Sequence, residues 1–321
     1  MIGDVIGTLR PERNAVTMPP AADVVEPVDT PDLKSVGSNA VRVRVPPSAP
    51  LPRTRLDEGL DGTVSEPIPL VRRRDVVVAH ASDVHIDDGY TARLFGGDGA
   101  GPLRAVLKAA KEARADIVVL AGDTFECNRL PAHLLERTAA TIDEFGMPVV
   151  ILPGNHDPAT DDAVFRHPAL LGLPGLTVLG VTHDETVHFM QFDLEVWGRA
   201  HRDYGDMDPL AAPRPRTSAW QIAMAHGHHT PIPDRSTKVR ASWLIGDDEI
   251  DATAADYLAL GHWNRRVQVG SGTVPAWYSG SPDYARSINI VRLSGNAGVT
   301  VDRHRLELPP DFGDGIMEGQ D

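Results

Sequence analysis

The sequence predicts an α/β protein, a four-layer αββα sandwich of two mixed β-sheets flanked by helices. Two observations carry that expectation. Residues 75–152 alternate apolar, strand-like runs with helical stretches, the pattern of parallel strands joined by right-handed crossovers. After His167 the texture changes to short apolar runs separated by turn residues, the pattern of a second, β-rich sheet packed face to face on the first.

Residues 1–74 are rich in Pro, carry scattered charges and show no helical or strand period, which predicts disorder. Within them, Asn39 to Pro50 resembles the conceptual translation of a transfer-RNA gene's 3′ end. That predicts a true start further downstream; an ordinary Pro-rich tail is the alternative. Order is expected from Asp75-Val76-Val77-Val78-Ala79-His80, a strand. A Gly-rich loop leads to a helix over Leu103 to Ala115, opened by Pro102, with Leu103, Val106, Leu107 and Ala110 on one face. Ile117-Val118-Val119-Leu120 is the second strand. A helix from about Leu130 to Phe145 is stopped by Gly146, and Pro148-Val149-Val150-Ile151 is the third strand. Further strands are expected at Thr177–Leu179, Val187–Phe189, Leu194–Trp197, Trp220–Ala225, Tyr257–Leu260, Trp277–Tyr278 and Ile288–Val291. The ordered domain is bounded at 75–308, followed by an acidic tail at 309–321.

Composition narrows the function classes. A formal net charge of −14 argues against a broad basic surface for sequence-independent nucleic-acid binding. The single cysteine, Cys127, excludes an intrachain disulfide and fits a reducing cytoplasm, the expected location. No signal-peptide pattern opens the chain and no apolar run approaches the length of a membrane span.

The chemistry is concentrated where strands end. Asp83 with His85, Asp123, Asn155 with His156, His226 and His262 each follow an apolar run directly. A lone one of these is a turn cap or a structural histidine. Together they make the mixed carboxylate, amide and imidazole set that two divalent cations require. Asp83 and His85, two apart, share a face if extended pairing continues past the strand. Asp123, with two oxygens, is suited to bridge both ions.

Asp83-Val84-His85, Gly122-Asp123, Gly154-Asn155-His156-Asp157, a later strand-end His and Gly261-His262 resemble the ordered motifs of calcineurin-like metallophosphoesterases. The resemblance covers residues 76 to about 285. Gly122-Asp123-Thr124-Phe125 and Tyr278-Ser279-Gly280-Ser281-Pro282 resemble the SbcD-type DNA-repair exonuclease branch. The resemblance implies that Asp83 and His85 hold a first metal, that Asp123 bridges, and that Asn155, His226 and His262 complete a second site. His228 and His229 compete with His226 for that position. Members of the family carry a histidine ligand two residues after the Gly-His pair; here the position is Asn264, a weaker donor, and Glu126 is a second departure. The implied cofactors are two divalent ions, manganese with iron or zinc as alternatives. The implied activity is phosphodiester hydrolysis of DNA-exonuclease type by a metal-bridging hydroxide. A small-molecule phosphatase, a cyclic-nucleotide phosphodiesterase and a catalytically weak metal-binding scaffold are the alternatives.

His156 is the expected general acid and Asp157 the group that sets its tautomer. Arg265 and Trp263 are the expected substrate contacts, Trp263 by stacking on a base or, alternatively, by packing under its loop. Arg199, His201, Arg266 and Arg286 lie near the motif loops and are either phosphate receivers or ordinary surface charges. The expected partner is a phosphoester, with single-stranded or damaged DNA as the leading form; no membrane is implied, and the sequence singles out no protein partner.

Overall fold

The computed structural model of the protein describes residues 74–87, 89–236 and 242–309. The Pro-rich segment and the acidic tail read from the sequence lie outside the described residues, apart from their boundary positions 74 and 309.

The first half alternates as expected. Strand β1 (Val76–Ala81) is followed by the short helix α1 (Tyr90–Leu94), helix α2 (Gly101–Glu112), strand β2 (Ile117–Ala121), helix α3 (Ala132–Phe145) and strand β3 (Val149–Leu152). Helix α2 buries Leu103, Val106, Leu107 and Ala110, the four residues of the predicted face. It ends at Glu112 rather than Ala115, because Arg114 takes a left-handed φ of 55° that cannot continue a helix. Helix α3 starts after Pro131, whose extended backbone forms the cap, and stops at Gly146 in the left-handed conformation expected of a C-terminal glycine.

Next come the one-turn helix α4 (Pro168–Leu171), β4 (Leu176–Val178), β5 (Thr186–Phe189), β6 (Leu194–Gly198) and β7 (Trp220–His226). A two-stranded ladder, β8 (His228–His229) with β9 (Leu244–Ile245), precedes helix α5 (Asp247–Ala252). Then follow β10 (Tyr257–Gly261), β11 (Val267–Val269), β12 (Ala276–Tyr278), β13 (Ser287–Ser294) and β14 (Gly298–Arg305).

Two six-stranded sheets result, in the orders β14-β13-β1-β2-β3-β4 and β11-β12-β10-β7-β6-β5. Both are mixed. Strands β1 to β4 are parallel and β13 runs against β1. Strands β6, β7, β10 and β12 are parallel, edged by antiparallel β5 and β11. Alternation along each central strand explains the layers. Val76, Val78, Ile117, Val119 and Val150 face Ile222, Met224, Tyr257 and Ala259 between the sheets. Ala79, Val118, Leu120 and Ile151 point outward to Leu103, Leu107, Leu135 and Ile142 of α2 and α3. On the far side, Ala223, Leu258, Leu260 and Tyr278 pack with Ile250 of α5. Burying each such Val, Leu or Ile contributes about 1.5–3 kcal/mol. The αββα expectation therefore holds, with a thin fourth layer: the six-residue α5.

The parallel strands of each sheet end on the same edge, so the loops after β1, β2, β3, β7 and β10 are brought close together there. That edge carries the residues singled out in the sequence.

Candidate metal centre

The two sheets touch at this edge because a glycine lets them. Gly261, closing β10, sits against the end of β2 so tightly that a Cβ there would lie 1.8 Å from the Ala121 carbonyl oxygen and 2.8 Å from His226 Nδ1. Gly122 has a φ of +89°, and its missing Cβ would fall 2.0 Å from the same ring nitrogen. Gly261→Ala is therefore expected to destabilise the fold by at least about 1–3 kcal/mol, the usual range for overpacking. It should also weaken divalent-cation binding. A urea midpoint equal to that of the wild type would contradict the close approach.

The loop after β1 is laced to the loop after β2. The Asp83 N–H donates to the Gly122 carbonyl (3.1 Å), His85 N–H to Asp123 (3.1 Å) and Ile86 N–H to Thr124 (3.0 Å). Asp83, His85 and Asp123 take left-handed φ values of 53°, 48° and 49°, and His262 one of 107°. Non-glycine residues held in such sparsely populated conformations cost about 1–3 kcal/mol each and cluster at functional sites. This corrects the extended-strand argument for Asp83 and His85. The strand ends at Ala81, and the two residues share a cleft through paired left-handed turns instead of a β-pleat.

The side chains then converge. Both Asp83 oxygens accept the His262 N–H, at 3.1 and 3.0 Å. Asp123 accepts the His156 N–H through Oδ1 (2.9 Å), and its Oδ2 lies 3.1 Å from His226 Nε2. His226 Nδ1 is 2.9 Å from the Ala121 carbonyl, to which it can only donate, and its Nε2 is 2.9 Å from Asn155 Oδ1. Asp83, Asp123 and His226 are all buried. Burial pushes Asp83 above the usual carboxylate range. It also acts to raise Asp123, but the His226 imidazole outweighs it and holds that carboxyl well below the range. Burial alone would lower His226; the Asp123 carboxylate reverses this and lifts it to about 9. His262 is lowered to about 3 by burial and by the neighbouring His226.

Among the described residues, three groups of His and carboxylate side chains have donor atoms within 4.8 Å of one another: Asp83, His85 and Asp123; Asp123, His226 and His262; and His85, Glu126 and His156. Asp123 belongs to two of them. With Nδ1 committed to Ala121, His226 Nε2 meets a carboxylate oxygen and an amide oxygen. Without a cation a proton on Nε2 holds this cluster together, which is why the Asp123 carboxylate raises His226; a divalent cation would fit in that proton's place, and a histidine whose other nitrogen donates to a carbonyl is oriented as a ligand. The structure thus brings Asp83, His85, Asp123, Asn155, His226 and His262 together. His228 is exposed and accepts the Trp263 indole N–H (3.1 Å), and His229 pairs with Asp247 at 2.8 Å. Asn264 is exposed, and its carbonyl accepts the Ser281 N–H.

His156 stands beside this set with its side chain 40% exposed, Nδ1 3.1 Å from the Glu126 carbonyl and 3.6 Å from Oε1 of the same residue. The Glu126 carboxylate raises it to about 9 against burial. Asp157 does not touch that ring. Its fully buried carboxylate accepts the Gly154 N–H (2.8 Å) and the Phe125 N–H (2.9 Å), buckling the loop after β3 to the loop after β2. Burial and the Asp123 charge raise it to about 7. The tautomer role expected of Asp157 is thus corrected to a backbone clamp, and the group at the His156 ring is Glu126. In the sequence Glu126 stands out only as a departure from the family pattern; its place three residues past Asp123 on the same loop is the signal that could find it.

Trp263 stacks on Tyr278, ring centroids 4.5 Å apart and planes 10° from parallel. Arg265 is exposed and lies over the Tyr284 ring at 5.8 Å. Arg266 is spent on structure, donating to Asn289 Oδ1 (2.6 Å) and lying over Trp277 at 4.3 Å. Arg199 donates to the Asp208 carbonyl, and His201 is buried against the His226 carbonyl.

A carboxylate shared by two donor groups sits at the strand-end edge of the two-sheet sandwich, and the family match makes the class phosphoester hydrolases. The chain belongs to the calcineurin-like phosphoesterase family, whose model matches residues 76–265. It is 26% identical over 258 residues to the SbcD component of the nuclease SbcCD from Bacillus subtilis, covering 67% of this chain and 65% of that one. It is 26% identical over 206 residues to the DNA double-strand break repair protein Mre11 of Archaeoglobus fulgidus, covering 57% and 45% respectively. The chain therefore spans less than two thirds of the length of either relative. Among solved structures it is similar to the protein TT1561 of Thermus thermophilus, with 11% identity, a TM-score of 0.46 and coverage of 72% of this chain and 99% of that one. No helix among the described residues is long and apolar enough to cross a membrane.

Proposed function

We propose that this protein is a two-cation phosphodiesterase of nuclease type. The observation that carries the reading is the membership of Asp123 in both donor groups, Asp83–His85–Asp123 and Asp123–His226–His262, with the Asn155 amide oxygen beside the second. Two divalent ions held there, manganese first among them, would supply Lewis-acid polarisation of the phosphoryl group and of the attacking water. The chain's own residues do the rest. The Asp83 carboxylate, latched to the His262 N–H, ties the loops of the two sheets together. The Asp157 clamp fixes the loop that carries Asn155 and His156. Attack of water on phosphorus, with its proton released to solvent, breaks the bond to the leaving oxygen, and that oxygen takes a proton from His156, whose ring is partly exposed. Trp263, backed by Tyr278, and Arg265 on the neighbouring loop are the proposed contacts for a base and a phosphate.

DNA, single-stranded or damaged, is the substrate supported by the likeness to a nuclease subunit and to a DNA double-strand break repair protein. A small phosphoester is the second reading, favoured by the net charge of −14. A panel of bis-p-nitrophenyl phosphate, p-nitrophenyl phosphate, cyclic nucleotides and single-stranded DNA, each with manganese, separates them. Cleavage of the diester and of DNA is expected. Turnover confined to the monoester would select the small-molecule reading, and none at all a metal-binding scaffold.

A further inference from the structure

The third donor group, His85 with Glu126 and His156, has no part in the two proposed cation sites except through His85. Glu126 Oε2 stands 2.8 Å from His85 Nδ1 as an ion-pair contact outside hydrogen-bonding angles, and its Oε1 is 3.6 Å from His156 Nδ1. The backbone fixes it there. The Glu126 N–H donates to the Ile86 carbonyl (3.1 Å), and Ile86 is bridged in turn to Phe125, so the carboxylate is carried directly under the imidazole. The rings of His85 and His156 meet edge to face at 4.9 Å, with a Glu126 oxygen near the Nδ1 of each.

We infer that Glu126 is a positioning residue for the first cation site: its carboxylate, 2.8 Å from His85 Nδ1, favours the proton on that nitrogen and leaves Nε2 as the lone pair for a cation held with Asp83 and Asp123. The inference rests on the two-cation reading. Its physical basis is that an imidazole has one lone pair and one N–H when neutral, so an acceptor at one nitrogen decides which nitrogen binds metal. His226 is oriented in the same way by the Ala121 carbonyl. The two sites would then use different devices, a backbone carbonyl at the second and a half-exposed carboxylate at the first. The first site has more to gain from it. His85 is the single imidazole in its donor group, and the amide of Asn264 occupies the chain position two past His262.

The test is a manganese titration of the full chain followed by electron paramagnetic resonance, which separates isolated ions from an exchange-coupled pair. The wild type should bind two equivalents and give the coupled signal. Glu126→Ala should weaken one equivalent by about 10–100-fold, the usual effect of losing such an outer partner. It should leave the other unchanged and show isolated ions at the same loading. Glu126→Gln, which keeps an acceptor oxygen without the charge, should fall between the two. The metal-free melting temperatures of both variants should match that of the wild type, since the side chain is 46% exposed. Two wild-type-like equivalents and a coupled signal in Glu126→Ala would overturn the inference alone. A wild type that binds fewer than two equivalents would overturn the two-cation reading beneath it, and the inference with it.

Discussion

Replacing Asp123 with Asn is expected to lower turnover of bis-p-nitrophenyl phosphate by roughly 10³-fold and to halve manganese content or worse. A bound divalent ion stabilises transition-state charge by several kcal/mol, and each 1.36 kcal/mol is tenfold in rate. Asp123 is the one side chain common to these two donor groups, so its loss removes a ligand from both. Asn preserves the shape and one oxygen, including an acceptor for the His156 N–H at 2.9 Å, so the backbone of the site should survive. What disappears is the negative charge that offsets two cations and the neighbouring His226. A variant that keeps wild-type turnover and full metal content would remove Asp123 from the centre of the account.

His156→Ala should separate proton transfer from metal binding. Its ring lies outside the Asp123–His226–His262 group, and the contact with Asp123 is made by its backbone N–H, which alanine retains. Metal content should therefore hold. Turnover of diesters with poor leaving groups, such as DNA, should fall by about 10²–10⁴-fold, the usual worth of a positioned general acid. Esters of p-nitrophenol, whose leaving oxygen needs little protonation, should lose far less. Equal losses on both substrates, or none on either, would exclude His156 as the proton donor. The measurement is kcat for each substrate at saturating manganese.

Much of this was legible because strand ends are legible. The apolar runs before Asp83, Asp123, Asn155, His226 and His262 become β1, β2, β3, β7 and β10, within a residue or two of their expected limits. Once parallel pairing puts their ends on one edge, the polar residues that follow must gather there. Local backbone state was not legible. Asp83 and His85 meet through left-handed turns set by hydrogen bonds to the Gly122–Thr124 loop, an interaction between segments about 40 residues apart that no periodicity reports. Side-chain partners inside the loops were hidden for the same reason. Adjacency in sequence suggested Asp157 for the His156 ring, whereas the fold turns Asp157 toward the backbone of Gly154 and Phe125 and brings Glu126 to the imidazole from the preceding crossover. The hairpin of β13 and β14 runs eight residues on each strand; the sequence reads as strands from Ala276 to Leu306 but delimits only Ile288–Val291 within that hairpin. Its outer strand, Gly298–Arg305, runs from Gly-Val-Thr-Val into Asp-Arg-His-Arg at a sheet edge, where burial imposes little pattern.

The most direct measurement is anomalous diffraction at the manganese edge from crystals grown with that ion. Two peaks about 3.5–4 Å apart are expected, the spacing of two-metal phosphoesterase sites. Asp123 should lie between them, with Asp83 and His85 on one side and Asn155, His226 and His262 on the other. A single peak, or two peaks without Asp123 in contact with both, would contradict the two-cation reading.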